Sequence, residues 1–225
     1  MKTNRSRRIY AGPTRTQSAI TRIEVTIVIA IIAILAAILL PALSKSHPHA
    51  QVIRCNINLK NIGLGLRQWA LDHGGKMPMT VSITDGGAME WTEAGDVAPA
   101  FQVASNELNT PKILRCPQDD TKKMASTFTN NLSRANISYF LGLDVDETRP
   151  RMFLTGDDNL VINGQPVKPG IVALTTNTPV VWSKDRHKKK GYIALADGSV
   201  LEYPNSQLQQ LLSDDGTNNL RLAFP

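Results

Sequence analysis

From Val25 to Leu43 the chain runs 19 residues without a charge, and Thr26 carries the single hydroxyl among them. At about 1.5 Å of rise per residue, a helix of that length just spans the hydrocarbon core of a bilayer. Pro41 lies near the end of the run and predicts a kink rather than a stop. Beyond Pro48 the pattern changes. Val52, Cys55, Leu59, Ile62, Leu66 and Trp69 recur at spacings of three and four, one stripe of an amphipathic helix, while Lys60, Arg67 and Asp72 fall on other faces. Gly74-Gly75 ends the pattern. The two stretches together predict one long helix from about Ile20 to His73. Its first half is apolar all round, and its second half lays a stripe on a globular domain.

Residues 76–225 read as that domain, long enough for one core. Leu160-Val161-Ile162 leads into Asn163-Gly164, the dipeptide favoured in two-residue hairpin turns. Ile171 to Leu174 and Pro179 to Trp182 read as short strands. Tyr192 to Ala196, Asp197-Gly198 and Ser199 to Tyr203 predict a second hairpin with a turn of the same type. Asn205 to Ser213 reads as a short helix capped by Asn205 or Ser206. Residues 84–99, rich in Gly, Glu and Asp, read as a loop. The fold class expected is α+β: a long N-terminal helix packed on a mostly antiparallel β-sheet head. The boundaries are 1–19 for a leader, 20–43 for the apolar helix, 44–75 for its amphipathic continuation and 76–225 for the head.

Charge alters this picture at one end only. Lys2, Arg5, Arg7, Arg8 and Arg15 precede Glu24 with no acid among them, so removing residues 1–19 takes the formal +6 to about +1. The basicity is a topology signal that keeps the N-terminus cytoplasmic, and it argues against a nucleic-acid face. Three readings fit the first 43 residues. An ordinary signal peptide would be cut near Ala42-Leu43-Ser44, and a plain signal anchor fits the length. Neither gives Glu24, a carboxylate at the mouth of an apolar helix, any role.

Ala19, then Ile20-Thr21-Arg22-Ile23-Glu24, then Pro41 resembles the third, the leader of type IV prepilins and pseudopilins. Ala19 stands where that family usually has Gly, and Arg22 where it has an apolar residue. The resemblance implies cleavage between Ala19 and Ile20 by a prepilin peptidase, N-methylation of Ile20, a helix kink at Pro41, and an assembly role for Glu24. Its physical sense is a charge pair: the new amine at Ile20 and the Glu24 carboxylate neutralise each other in lipid or between neighbouring subunits. At the other end His187, nine residues, then Asp197-Gly198 resembles a C-terminal element of bacterial prepilin-type proteins. Cys55 to Gly63, Arg115-Cys116-Pro117 and Ile137-Ser138-Tyr139 are also similar to that group.

Catalytic, cofactor-binding and metal-ligand sets are not expected. His187 and Asp197 suggest a His–Asp pair, but Asp197-Gly198 reads better as a turn. No Gly-x-Ser-x-Gly elbow occurs. His47-Pro48-His49 lacks a helical i, i+4 metal pairing. Lys184, Arg186 and Lys188-Lys189-Lys190 read as a solvated approach to a hairpin. Asp144-Val145-Asp146-Glu147, Asp157-Asp158-Asn159 and Asp214-Asp215 are oxygen-rich but lack the order of a twelve-residue calcium loop, so each reads as a turn or exposed loop. Cys55 and Cys116 are the only thiols, either a disulfide worth about 4 kcal/mol or two buried free thiols; the disulfide is the expectation.

The resemblance therefore implies a pseudopilin or minor pilin, a structural subunit with no cofactor. Its head would be periplasmic and its helix in the inner membrane. Its partners would be a prepilin peptidase, other pilin-like subunits, an inner-membrane assembly platform and the lipid bilayer. The rivals are an anchored periplasmic binding module and a secreted enzyme.

Overall fold

A computed structural model describes residues 21–129, 131–214 and 219–225, with the backbone alone described over 41–49 and at 214. The chain divides into two compact units, Met1–Ser46 and His47–Pro225. The first helix, α1 (Arg22–Asp72), supplies residues to both, and its helical backbone runs through Pro41 and Pro48. In the first unit, Arg22–Leu40 has a mean hydropathy of 3.0 and is 0% buried, long and apolar enough to cross a membrane.

In the second unit α1 buries the stripe read from the sequence. Cys55, Leu59, Ile62, Leu66 and Trp69 are all core residues, and Val52 packs against them. The helix ends where Gly74 and Gly75 take positive φ.

The segment read as a loop over 84–99 is partly helical. It holds α2 (Met89–Glu93) and the start of α3 (Ala98–Val103), and α4 (Ser105–Leu108) follows. These helices are too short to be stable alone or to show periodicity. Burial of Thr92, Val97, Ala98 and Phe101 holds them.

The sheet begins at β1 (Tyr139–Gly142) and continues with β2 (Phe153–Asp157), β3 (Leu160–Ile162), β4 (Gln165–Pro166) and β5 (Gly170–Leu174). Then come β6 (Val180–Trp182), β7 (Lys190–Leu195), β8 (Val200–Pro204), α5 (Asn205–Asp214) and β9 (Leu220–Phe224). Six strands form one antiparallel sheet in the order β5-β9-β1-β2-β7-β8, and β4-β3-β6 form a smaller one. Both faces of the large sheet are covered. Tyr139, Leu141, Leu154, Tyr192 and Ala194 point toward the α1 stripe. Phe140, Phe153, Ile193 and Leu222 point toward Leu208, Leu211 and Leu212 of α5 and toward Leu160, Val180 and Trp182 of the small sheet.

The first hairpin turn has positive φ at both Asn163 and Gly164, as the dipeptide predicts. The second turn differs from expectation. Only Gly198 has positive φ there; Leu195 accepts from Gly198 N–H and donates to Ser199, a three-residue loop with a bulge at Gly198. Asn205, the first residue of α5, also reaches across to the small sheet: its Oδ1 accepts from Trp182 N–H at 2.6 Å and ties the helix to β6.

At Gly142 the backbone of β2 comes so close that a Cβ would lie 1.9 Å from the Phe153 carbonyl oxygen and 2.9 Å from Val145 Cγ2. Neither is the far end of a flexible chain, so the strand itself must shift. Gly142→Ala is expected to destabilise the folded chain by about 3 kcal/mol or more. A fall in denaturation midpoint read by circular dichroism checks this, and an unchanged midpoint would show that β1 and β2 can separate cheaply.

Candidate functional site

Two places in the chain carry the sequence-predicted residues, and the first is the mouth of α1. Ala19 and Ile20 lie outside the described residues. Thr21 and Glu24 close a reciprocal pair: Thr21 N–H and Oγ1 donate to Glu24 Oε2 at 2.8 and 2.9 Å, and Glu24 N–H donates to Thr21 Oγ1 at 3.3 Å. This is a capping box, which satisfies backbone donors that the first helical turn leaves without partners. The signal was present in the sequence as Thr21-x-x-Glu24. Glu24 thus has a local structural role beside the one the resemblance implies.

The second place is built around His187. Its φ is 52°, and Lys188 and Lys189 follow at 53° and 66°, three successive left-handed residues without a glycine. Each costs roughly 1 kcal/mol or more. The turn drives the His187 ring into the core, 1% exposed, while the three lysines 188–190 stay at the surface. The expectation of a solvated basic cluster therefore holds for the lysines and fails for Arg186. That side chain is buried, with NH1 at 3.0 Å from Asp119 Oδ2 and NH2 on Asp158 Oδ1. Lys122 Nζ lies 3.7 Å from Asp158 Oδ2.

His187 does not meet Asp197. Its Nε2 lies 3.5 Å from Asp157 Oδ2 and 3.5 Å from Cys116 Sγ, and its ring stands edge-on to Tyr192. Asp157, at the end of β2, is wholly buried and accepts from Tyr192 N–H at 2.8 Å. The reading of Asp157-Asp158-Asn159 as a turn or exposed loop is thus corrected: Asp157 is a buried strand residue. The carboxylates go inside because Arg186, Lys122 and a backbone N–H receive them. No local signal marks this, since Asp119, Asp157 and His187 lie far apart in sequence.

Cys116, which faces the ring, is joined to Cys55 of α1 by a disulfide, with Cα atoms 5.0 Å apart. Asn58 Nδ2 donates to Arg115 O at 3.1 Å beside it. The Asp197-Gly198 turn meets α1 elsewhere. Arg67 NH1 donates to Asp197 O, and Asp197 Oδ1 accepts from Ser199 N–H at 2.8 Å. The two ends of the His187…Gly198 element therefore do separate jobs: one packs on the disulfide, and the other grips Arg67.

Local electrostatics follow from this burial. Burial pulls the Asp119 carboxyl upward, but the Arg186 charge and the Thr121 hydroxyl outweigh it and hold it below the usual range. Burial, reinforced by the Asp157 charge, pushes the Tyr139 phenol well above its ordinary value. Burial and the Glu202 carboxylate, which accepts from its hydroxyl at 2.7 Å, likewise raise Tyr192.

The oxygen-rich stretch Asp144 to Glu147 is engaged. Asp144 receives Arg221 Nε at 3.0 Å, Asp146 Oδ1 accepts from Thr148 N–H at 2.9 Å, and Glu147 lies 3.9 Å from Arg67. The side chains of His47, His49, Asp214 and Asp215 lie outside the described residues. No protein-family model, curated protein or solved structure matches the chain.

Proposed function

We propose that this chain is a pilin-like structural subunit, a pseudopilin or minor pilin, whose work is assembly rather than catalysis. One observation carries the reading. Arg22–Leu40 is apolar and bare on every side, on a helix whose later stripe is core of the head and is stapled to it by Cys55–Cys116. An apolar surface of that size needs an environment from outside the chain, first lipid and then the same helix of neighbouring copies. A simple tether would not need the disulfide, the buried stripe and the Arg67–Asp197 contact to hold its continuation to the head. The His187–Asp157 pair is sealed from solvent, which suits a brace and not a reaction centre.

In this reading a prepilin peptidase cuts between Ala19 and Ile20 and methylates the new amine. The N-terminus faces the cytoplasm, the head faces the periplasm, and an inner-membrane platform drives subunits into a filament. Glu24 then pairs with an Ile20 amine. The capping box dictates the test. Glu24→Gln keeps an acceptor for the Thr21 N–H but carries no charge. Membrane insertion and helix content should stay at wild-type levels while incorporation into filaments falls at least tenfold. Normal incorporation of E24Q would end the charge-pair mechanism. Mass spectrometry of the N-terminal peptide separates the rivals: methylated Ile20 supports the subunit, Met1 a tether, and Lys45 a secreted protein.

A further inference from the structure

We infer that Cys55, Cys116, His187 and Asp157 form a redox-gated zinc site, open when the two cysteines are thiols and closed when they are joined. Cys55 Sγ, Cys116 Sγ and a His187 ring nitrogen all lie within 4.8 Å of one another, and all three residues are buried. His187 Nε2 is 3.5 Å from Cys116 Sγ and 3.5 Å from Asp157 Oδ2. At 3.5 Å the imidazole–carboxylate contact is long for a hydrogen bond, yet the Asp157 side chain is fully buried. The same spacing is compatible with a pair of metal ligands. A tetrahedral Zn²⁺ with bonds of about 2.0–2.3 Å places neighbouring nitrogen, oxygen and sulfur ligands about 3.4–3.8 Å apart. The ligand set, two thiolates with one imidazole and one carboxylate, is one that zinc accepts.

Two further observations set these residues apart. His187 Nδ1 and Asp157 Oδ1 are buried with no hydrogen-bond partner among the described residues, which is rare for buried polar atoms. The left-handed run His187–Lys189 spends backbone energy to place this ring against the sulfurs.

The gate is covalent. Bonded sulfurs sit about 2.05 Å apart and cannot act as two thiolates on one ion. Reduction by a phosphine opens the site. The phosphine gives two electrons to the S–S bond and becomes a phosphine oxide with oxygen from water, and water's two protons go to the sulfurs. Zn²⁺ then displaces those two protons as it binds. Either state links α1 at Cys55 to the Cys116 loop, so the ion serves before oxidation the purpose the disulfide serves after it. The metal form also recruits His187.

The test uses the full chain in detergent, with and without prior phosphine treatment, titrated with Co²⁺ as a spectroscopic probe and with Zn²⁺ against a chromophoric chelator. Circular dichroism monitors the fold throughout. The reduced chain should take one ion per molecule, with thiolate charge-transfer absorption and the visible bands of a tetrahedral site, and the oxidised chain none. H187A and D157N should each weaken binding at least tenfold, while H47A/H49A should leave it unchanged. If reduction loosens the fold, one equivalent of Zn²⁺ should restore it. Equal binding by the oxidised chain would overturn the site. So would absence of binding after reduction, survival in H187A, or loss in H47A/H49A.

Discussion

Replacing Arg186 with Met should lower the stability of the folded chain by about 3–5 kcal/mol, the cost typical of stranding buried charge. The side chain is 9% exposed and serves two carboxylates at once, Asp119 and Asp158. Met fills much of the volume but supplies no donor. Asp158 would retain Lys122 at 3.7 Å, and Asp119 would retain the Thr121 N–H and hydroxyl at 3.0 and 2.6 Å. Lys122 can balance only one of these two carboxylates, so the other is left inside without a cation. Denaturant titration at neutral pH measures the loss, and adding Asp119→Asn to R186M should recover a good part of it.

Acidity supplies an independent check. The folded pKa of Asp119 lies below its unfolded value, so the pair contributes fully above about pH 4 and loses its contribution as pH falls through the folded pKa. The gap between wild type and R186M should therefore narrow in acid. A loss under about 1 kcal/mol at neutral pH, or a gap that widens in acid, would show that water reaches these carboxylates and solvates them.

The double variant Cys55→Ala/Cys116→Ala should cost about 4 kcal/mol. The two residues are 61 apart in sequence, and releasing a loop of that length restores this much conformational freedom to the unfolded chain. Alanine is preferred to serine because both sulfurs lie in the core, where a hydroxyl would need a partner. The denaturation midpoint should fall, and the slope against denaturant should rise because the uncrosslinked chain exposes more surface. A loss under 1 kcal/mol would mean that the α1 stripe holds the helix to the head unaided.

The local rules reach far along this chain. A spacing of three and four identified the α1 stripe because a helix samples one face at that period whatever it packs against. Asn163-Gly164 marked its own turn because the conformation is paid for within two residues. With two cysteines only one intramolecular pairing exists, and the structure has it. The Thr21-x-x-Glu24 cap is equally local, since both of its partners lie within one helical turn.

What escaped the sequence lies where distant segments decide. β1, β2 and β9 are buried on both faces, between the α1 stripe and the layer of α5 and the small sheet, so they lack the alternation that betrays a half-exposed strand. The short helices around Met89 and Ala98 exist only because the core receives them. Asp197-Gly198 is the turn that the sequence suggests, but the partners of the His187 ring come from afar: β2 brings Asp157 to it and α1 brings the sulfur of Cys55. Sequence by itself determined the apolar helix, its amphipathic continuation and the hairpin that starts at β3, each a matter of neighbours within a few bonds. Tertiary structure alone decided which charges go inside and what the His187 ring faces, because burying a charge depends on partners the chain must fold to supply.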